Sequence, residues 1–264
     1  FLDVLEYQAR LHASKRALVF VDDDCNETQV LTYADIRRRS RHVAAQLLNR
    51  WKVNVGDRVL LVYEPGLDFI VAFLGTIMAG VGVERQQHRQ ADRPADLHGG
   101  VHQTGRKARV ALTSRSYLRV ARIGSALSPT SIWQWPKRLT WHTTDDLADG
   151  EEVTLPPLPL TQDDTAFLQF TSGSTAEPRG VIISHGNLMH QLALTTEACG
   201  LHEASVGCCW VPQYHDLGLV GCILIALYNG ASYVSCSPLS FLRNPAIWPE
   251  MKRGSSMAKP VSGK

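Results

Sequence analysis

Residues 166–184 read AFLQF-TSGSTAEPRG-VIIS: two apolar runs, Ala166 to Phe170 and Val181 to Ser184, separated by a ten-residue loop of mostly small and polar side chains. Short apolar runs bounded by turn residues predict strands. Outward from them the pattern keeps changing period. An amphipathic helix is expected over Asn187–Cys199, a strand over Val206–Val211, a buried helix over Leu217–Tyr228 and a strand over Ser232–Ser235. Strands alternating with helices predict an α/β fold, with sheets flanked by helices.

The first half carries the same signature. Thr32 is a helix cap, with Asp35 three residues on as an imperfect capping box. Ile36, Val43, Ala44, Leu47 and Leu48 then recur on one face, with arginines mostly on the other. Gly56-Asp57 marks a turn before an apolar strand, Arg58 to Tyr63. Pro65-Gly66 marks a second turn, before an almost wholly buried helix from Leu67 to Ala79 that ends at Gly80. From Glu84 to Arg122 nine Lys/Arg face only three acids, Glu84, Asp92 and Asp96, until a strand at Ala108–Thr113 restores order. With no aromatic before Tyr117, this run reads as a solvated face or an abnormal stretch rather than a nucleic-acid surface. Pro156-Pro157-Leu158-Pro159 marks a loop or subdomain boundary. The expected organisation is a first subdomain over 1–160, with 84–107 atypical, a second over 161–248, and a disordered tail over 249–264.

Composition bounds the function. In 264 residues, 44% hydrophobic and 20% charged fractions are those of an ordinary globular chain, and a net charge of +2 argues for neither nucleic acid nor an anionic membrane. The apolar stretch from Leu217 to Val234 is broken by Asn229, Gly230 and Ser232, and so is no membrane span. The chain opens at Phe1 rather than Met, as a chain cut at its start would, and no signal segment is apparent. The six cysteines include no C-x-x-C pair, and they are expected to be reduced core thiols of a cytoplasmic protein. His98 and His102 have helical spacing but no partner that would make a metal site, so no metal ligand is assigned.

The loop is where chemistry is expected. Gly173 lets the backbone approach a ligand closely, and successive N–H groups in a tight turn form a nest for an anion such as a triphosphate. Arg179 adds a permanent cation, and Pro178 stiffens the exit. A plain polar connector has the same composition, and the residues alone leave both readings open. The order is not that of a Walker loop.

The run from Phe167 to His185 resembles the phosphate-binding signature of the adenylate-forming superfamily, T-S-G-[ST]-T-x-x-P-[KR]-G, at every defining position. Trp210-Val-Pro-Gln-Tyr-His-Asp-Leu-Gly-Leu219 is similar to the W-[LV]-P-x-x-H-D-x-G-L stretch of the fatty acyl-AMP ligases. Ser237 to Trp248 resembles their S-P-x-x-F-x-x-x-P-x-x-W segment. Gly56-Asp57-Arg58-Val59 and Pro65-Gly66-Leu67-Asp68-Phe69 fit the early portion of the same family, so the resemblance runs from about Leu31 to Trp248.

That resemblance implies ATP- and Mg²⁺-dependent conversion of a fatty acid to an acyl-adenylate, with transfer to the phosphopantetheine thiol of an acyl carrier protein. It implies that Thr171, Ser172, Gly173, Ser174, Thr175, Arg179 and Gly180 hold the phosphates. It places His215 beside the reacting carboxylate or the acyl tunnel as the catalytic residue. Asp216 joins it at the substrate, or else only orients the loop or caps the following helix. Two departures stand out. After Val83 the family continues with a proline-rich apolar run, where this chain has Glu84-Arg85-Gln86-Gln87, as a frame error, a splice variant or a divergent loop would give. Family members also continue for about as many residues again, so the chain is expected to be an incomplete large amino-terminal domain, inactive alone. The competing readings are an acyl-CoA synthetase fragment and a non-catalytic interaction module.

Overall fold

A computed structural model describes residues 1–85, 108–127, 139–147, 153–171 and 179–254. In chain order these form α1 (Leu2–Leu11), β1 (Arg16–Val21), β2 (Glu27–Thr32), α2 (Tyr33–Ala45) with a π-helical turn Gln46–Arg50, β3 (Arg58–Val62), α3 (Leu67–Met78) and β4 (Gly82–Arg85). Next come β5 (Val110–Thr113), α4 (Arg115–Leu127), β6 (Thr140–Thr143), β7 (Thr165–Thr171), β8 (Arg179–Ser184), α5 (His185–Cys199) and β9 (Val206–Cys209). The last are α6 (Asp216–Gly218), a π-helical turn Leu219–Leu224, α7 (Ile225–Tyr228), β10 (Ser232–Ser235), α8 (Pro238–Arg243) and α9 (Ile247–Gly254). The fold class is α/β, as expected.

The residues gather into two units that interleave along the chain. Phe1–Arg37, Pro65–Leu67 and the chain from Leu188 on form one; Arg38–Glu64 and Asp68–Asn187 form the other. This differs from the single division expected near residue 160, and strand pairing is the reason: β1 lies parallel to β10, with Val19 opposite Val234. The first strand therefore belongs with the last. The expected tail boundary also moves, because α9 carries the chain to Gly254 and buries Met251.

The first unit is built on a four-stranded sheet in the order β2-β1-β10-β9, parallel except for the β1–β2 pair. Leu5 and Ala9 are the buried residues of α1, one helical turn apart. Tyr33 is fully buried, and its hydroxyl donates to the Ala231 carbonyl at 2.7 Å. The expected cap opens α2. The Thr32 N–H and hydroxyl donate to Asp35 Oδ2 at 3.1 and 2.6 Å, and the Asp35 N–H returns a bond to Thr32 Oγ1 at 3.1 Å. The helix expected over Leu217–Tyr228 is a helical run with a π-turn in its middle, and Leu217 itself is exposed.

The second unit holds a six-stranded sheet in the order β6-β5-β3-β4-β7-β8. All neighbours are parallel except the β7–β8 pair. Strand β5 is buried along its whole length, and β3 at all but its first residue, as sheets covered on both faces require. Phe69, Ile70, Phe73, Leu74 and Ile77 of α3 are buried, and Phe73 meets Phe167 of β7 edge-on at 5.5 Å between ring centroids. Burying a side chain like Phe73 contributes about 1.5–3 kcal/mol. Strand β4 runs through the point of departure at Glu84, which lies opposite Leu168. Most of the basic run, with His98 and His102, lies outside the described residues.

Sequence reading misses α1, β1 and β2. The signals were present: Leu5 and Ala9 at i, i+4, and the apolar run from Ala17 to Val21. No helix among the described residues is long and apolar enough to cross a membrane.

Candidate active site

Strands β7 and β8 pair antiparallel, and their register sets Thr171 opposite Arg179 and Phe170 opposite Gly180. The two ends of the expected phosphate loop are thus held side by side at the end of a hairpin. Ser172, Gly173, Ser174 and Thr175 lie outside the described residues, and Thr171 and Arg179 are placed by their backbone alone. Gly180 is exposed.

One residue here had no role in the sequence reading. Gln169 of β7 is only 7% exposed, and among the described residues neither its Oε1 nor its Nε2 has a hydrogen-bond partner. It shares a strand face with Phe167 and Thr171, two residues away on either side. A buried amide left unpaired costs about 1–3 kcal/mol per group, so its retention here calls for a reason, and its place beside the loop's first anchor offers one. The signal available in the sequence was a polar residue at the centre of an otherwise apolar strand.

The second motif lies in the four-stranded unit. His215 precedes α6, and its Nδ1 is 2.5 Å from Asp216 Oδ1. The Leu217 N–H lies 2.7 Å from Asp216 Oδ1 and 3.2 Å from His215 Nδ1. The His215 side chain caps this short helix by accepting the Leu217 N–H at Nδ1, with Asp216 Oδ1 beside the same ring nitrogen. Asp216 is the first residue of the helix and its Oδ1 also accepts from the Leu217 N–H, while the cap position itself is His215. Both side chains are exposed to solvent.

The loop bearing His215 is anchored from several sides. The His215 N–H donates to the Pro212 carbonyl at 2.9 Å. Gln213 Oε1 accepts from the Gly66 N–H at 3.0 Å, next to Gln29 Oε1, which accepts from Leu67 N–H at 2.7 Å. Two glutamine carbonyls thereby satisfy donors at the start of α3. Trp210 stacks on Phe241 with centroids 4.0 Å apart, and Phe241 meets Trp248 edge-on at 6.4 Å. The Trp248 indole N–H donates to the Cys208 carbonyl at 3.0 Å. The Trp of one quoted motif and the Phe and Trp of the other therefore form one aromatic stack. Beside the loop lies a small cleft lined by Phe20, Pro65, Val211, Tyr214, Ile223 and Tyr233 among others. Among the described residues no group of three or more His, Cys, Asp or Glu side chains is placed to hold a metal ion.

Comparison with known proteins agrees with these motifs. A medium-chain-fatty-acid–[acyl-carrier-protein] ligase of Moorena producens is 28% identical over 247 residues, covering 94% of this chain and 41% of that protein. A 4-hydroxyphenylalkanoate adenylyltransferase of Mycobacterium marinum is 31% identical over 263 residues, covering 94% and 40%. The crystal structure of a fatty acyl-adenylate ligase from Legionella pneumophila, in complex with acyl adenylate and pyrophosphate, superposes with a TM-score of 0.76 at 28% identity, covering 94% and 41%. The chain thus spans about two-fifths of the length of these relatives. Residues 5–254 match the AMP-binding enzyme family. On that match and on the motifs it spans, the chain belongs to the AMP-binding enzyme family and within it resembles the fatty acyl-AMP ligases.

Proposed function

We propose that this chain carries the phosphate loop and part of the acid site of an enzyme that activates a fatty acid as its acyl-adenylate and passes it to a carrier-protein thiol. The observation that carries the reading is the β7–β8 register, which holds both ends of a loop of adenylate-forming sequence side by side. In the reaction the acid's carboxylate attacks the α-phosphate of ATP and pyrophosphate leaves, so catalysis rests on positioning and charge stabilisation. Thr171, Ser172, Gly173, Ser174, Thr175, Arg179 and Gly180 are assigned to the β- and γ-phosphates. His215, beside Asp216, is assigned to the acid, with the apolar residues of the adjacent small cleft assigned to the start of its alkyl part. Gln169, buried behind the loop's first anchor, is assigned to orienting the loaded loop. Mg²⁺ usually keeps several waters and binds through substrate phosphates, so the ion is assigned to the nucleotide's phosphates. The reading implies a cytoplasmic setting, where ATP is abundant and thiols stay reduced.

For a polypeptide with two-fifths of the relatives' length, the proposal is weak ATP binding without turnover. Calorimetric titration of the purified chain with Mg·ATP tests it: millimolar binding is expected, reduced at least tenfold in Thr175→Ala and Arg179→Ala. Binding that both variants leave unchanged would overturn the phosphate assignment. Robust fatty-acid-dependent ATP–pyrophosphate exchange by the chain alone would overturn the inactivity, and supplying CoA or carrier protein in that assay would identify the acceptor.

A further inference from the structure

Gln213 stands two residues before His215, inside a turn that closes where the His215 N–H donates to the Pro212 carbonyl at 2.9 Å. The Leu219 N–H in turn donates to the His215 carbonyl at 2.8 Å, which joins that turn to the helix after it. The chain from Pro212 to Leu219 is therefore closed by backbone bonds on both sides of His215. A side chain that fixes Gln213 fixes the histidine with it.

Gln213 Oε1 is fixed by the Gly66 N–H at 3.0 Å. Gly66 belongs to Pro65–Leu67, the only stretch between Arg38 and Asn187 that gathers with the first unit. Proline has no N–H, so this stretch offers two backbone donors. Both go to glutamines: Gly66 to Gln213, and Leu67 to Gln29 Oε1 of β2 at 2.7 Å. Gln29 comes close to Gly66 as well, since a Cβ there would stand 3.1 Å from the same oxygen. Pro65 and Gln213 also line the cleft beside His215, together with Phe20 of β1, Ser235 of β10 and Val211 just beyond β9. Those strands run parallel, and the cleft lies at their carboxyl ends, where open α/β sheets receive their ligands. Gln29 is not among the described residues that line it.

We propose that Gln29 and Gln213 are positioning residues that tether the His215 loop through the Pro65–Leu67 turn. Gln29 holds the Leu67 amide, the turn then presents the Gly66 N–H, Gln213 accepts it, and the closed turn sets His215 at the mouth of the cleft. Because Gln29 does not line the cleft, its effect on a bound acid passes through the turn and the histidine. The consequence for the acid rests on the role proposed above for His215; the tether itself does not.

The test is a carbon–proton correlation spectrum of the histidine rings of the purified chain, beside calorimetric titration with decanoate. The His215 peak is assigned by its loss in His215→Ala. Gln29→Met and Gln213→Met each remove one acceptor at nearly constant volume. Both are expected to shift the His215 peak and to lower decanoate affinity by about tenfold. The double variant should lose no more than the worse single one, as links of one chain do. Gln29→Glu keeps an acceptor oxygen at the same reach, away from the cleft, and should restore both peak and affinity. A His215 peak unmoved by Gln29→Met, or moved equally by Gln29→Met and Gln29→Glu, would overturn the tether. A peak that moves as expected while neither Gln29→Met nor His215→Ala alters decanoate binding would uphold the tether and remove His215 from the acid. The Gln29 pair decides between these outcomes even if Gln213→Met folds poorly.

Discussion

Gly218 lies under the carbonyl of Pro212: a Cβ built on it would stand 2.2 Å from that oxygen and 3.1 Å from the Val211 oxygen. The glycine of the W-V-P-x-x-H-D-x-G-L motif therefore has a packing reason, since the loop bearing His215 folds back onto the first turn of its own helix. Backbone atoms cannot step aside as a flexible side chain can. Gly218→Ala is expected to cost about 1–3 kcal/mol, the usual range for overpacking, and to displace His215. Gly221→Ala is the control, because its Cβ would meet only the far end of Leu217. Urea melts should separate the two. Equal stability in both variants would contradict the packing described.

The Thr32–Asp35 box makes a second prediction. Asp35→Ala removes the acceptor of both Thr32 donors, and loss of an N-terminal cap costs about 1 kcal/mol. Asp35→Asn keeps an acceptor oxygen and should recover most of the loss. Midpoints in urea, at an unchanged m-value, measure both.

The box was legible because capping is local: two side chains three residues apart decide it. Strands β3, β5, β7 and β10 and helix α3 were legible for a similar reason, each being a short apolar run between turn residues. The division into units was not. It depends on Val19 meeting Val234, a pairing across most of the chain that no local pattern encodes. Within the site, the loop's residue types could be read directly, whereas the register that brings Thr171 opposite Arg179 is a property of the hairpin. Nor could the sequence sort the six cysteines, read there as core thiols: all are free, but only Cys236 is fully buried, Cys199 is exposed and the other four are half-buried.

Acid should weaken the six-stranded unit through His142. Its ring stacks on Trp51 at 4.4 Å with 13° between planes, and burial first, then the charge of Arg50, lowers its pKa from 6.5. Between the lowered folded value and 6.5 the unfolded chain binds more protons, so stability rises with pH in that window. The contribution is complete above about 6.5 and is lost as pH falls below it through the folded value. His142→Phe keeps the stack and removes the proton, so its melting temperature should fall less between pH 7.5 and 5 than that of the wild type. His185, also lowered by burial, leaves a residual slope in the same direction. Identical slopes in the two proteins would exclude His142.

Gln169 offers the sharpest separation of stability from function. Its amide is buried on the face of β7 that carries Phe167, with both polar atoms unpaired among the described residues, two residues before the loop's first anchor. If that amide serves the fold, replacing it with an apolar side chain should destabilise the protein. If it is kept for the loop and its nucleotide, Gln169→Met removes an uncompensated desolvation penalty at nearly constant volume, and the melt should stay level or rise by about 1 kcal/mol. Affinity for Mg·ATP should fall in the same variant, because the amide that orients the loaded loop is gone. Gln169→Glu should weaken ATP binding further, since a carboxylate beside the loop opposes the charge of the phosphates. A Gln169→Met protein that melts early and binds ATP normally would assign the residue to the core alone.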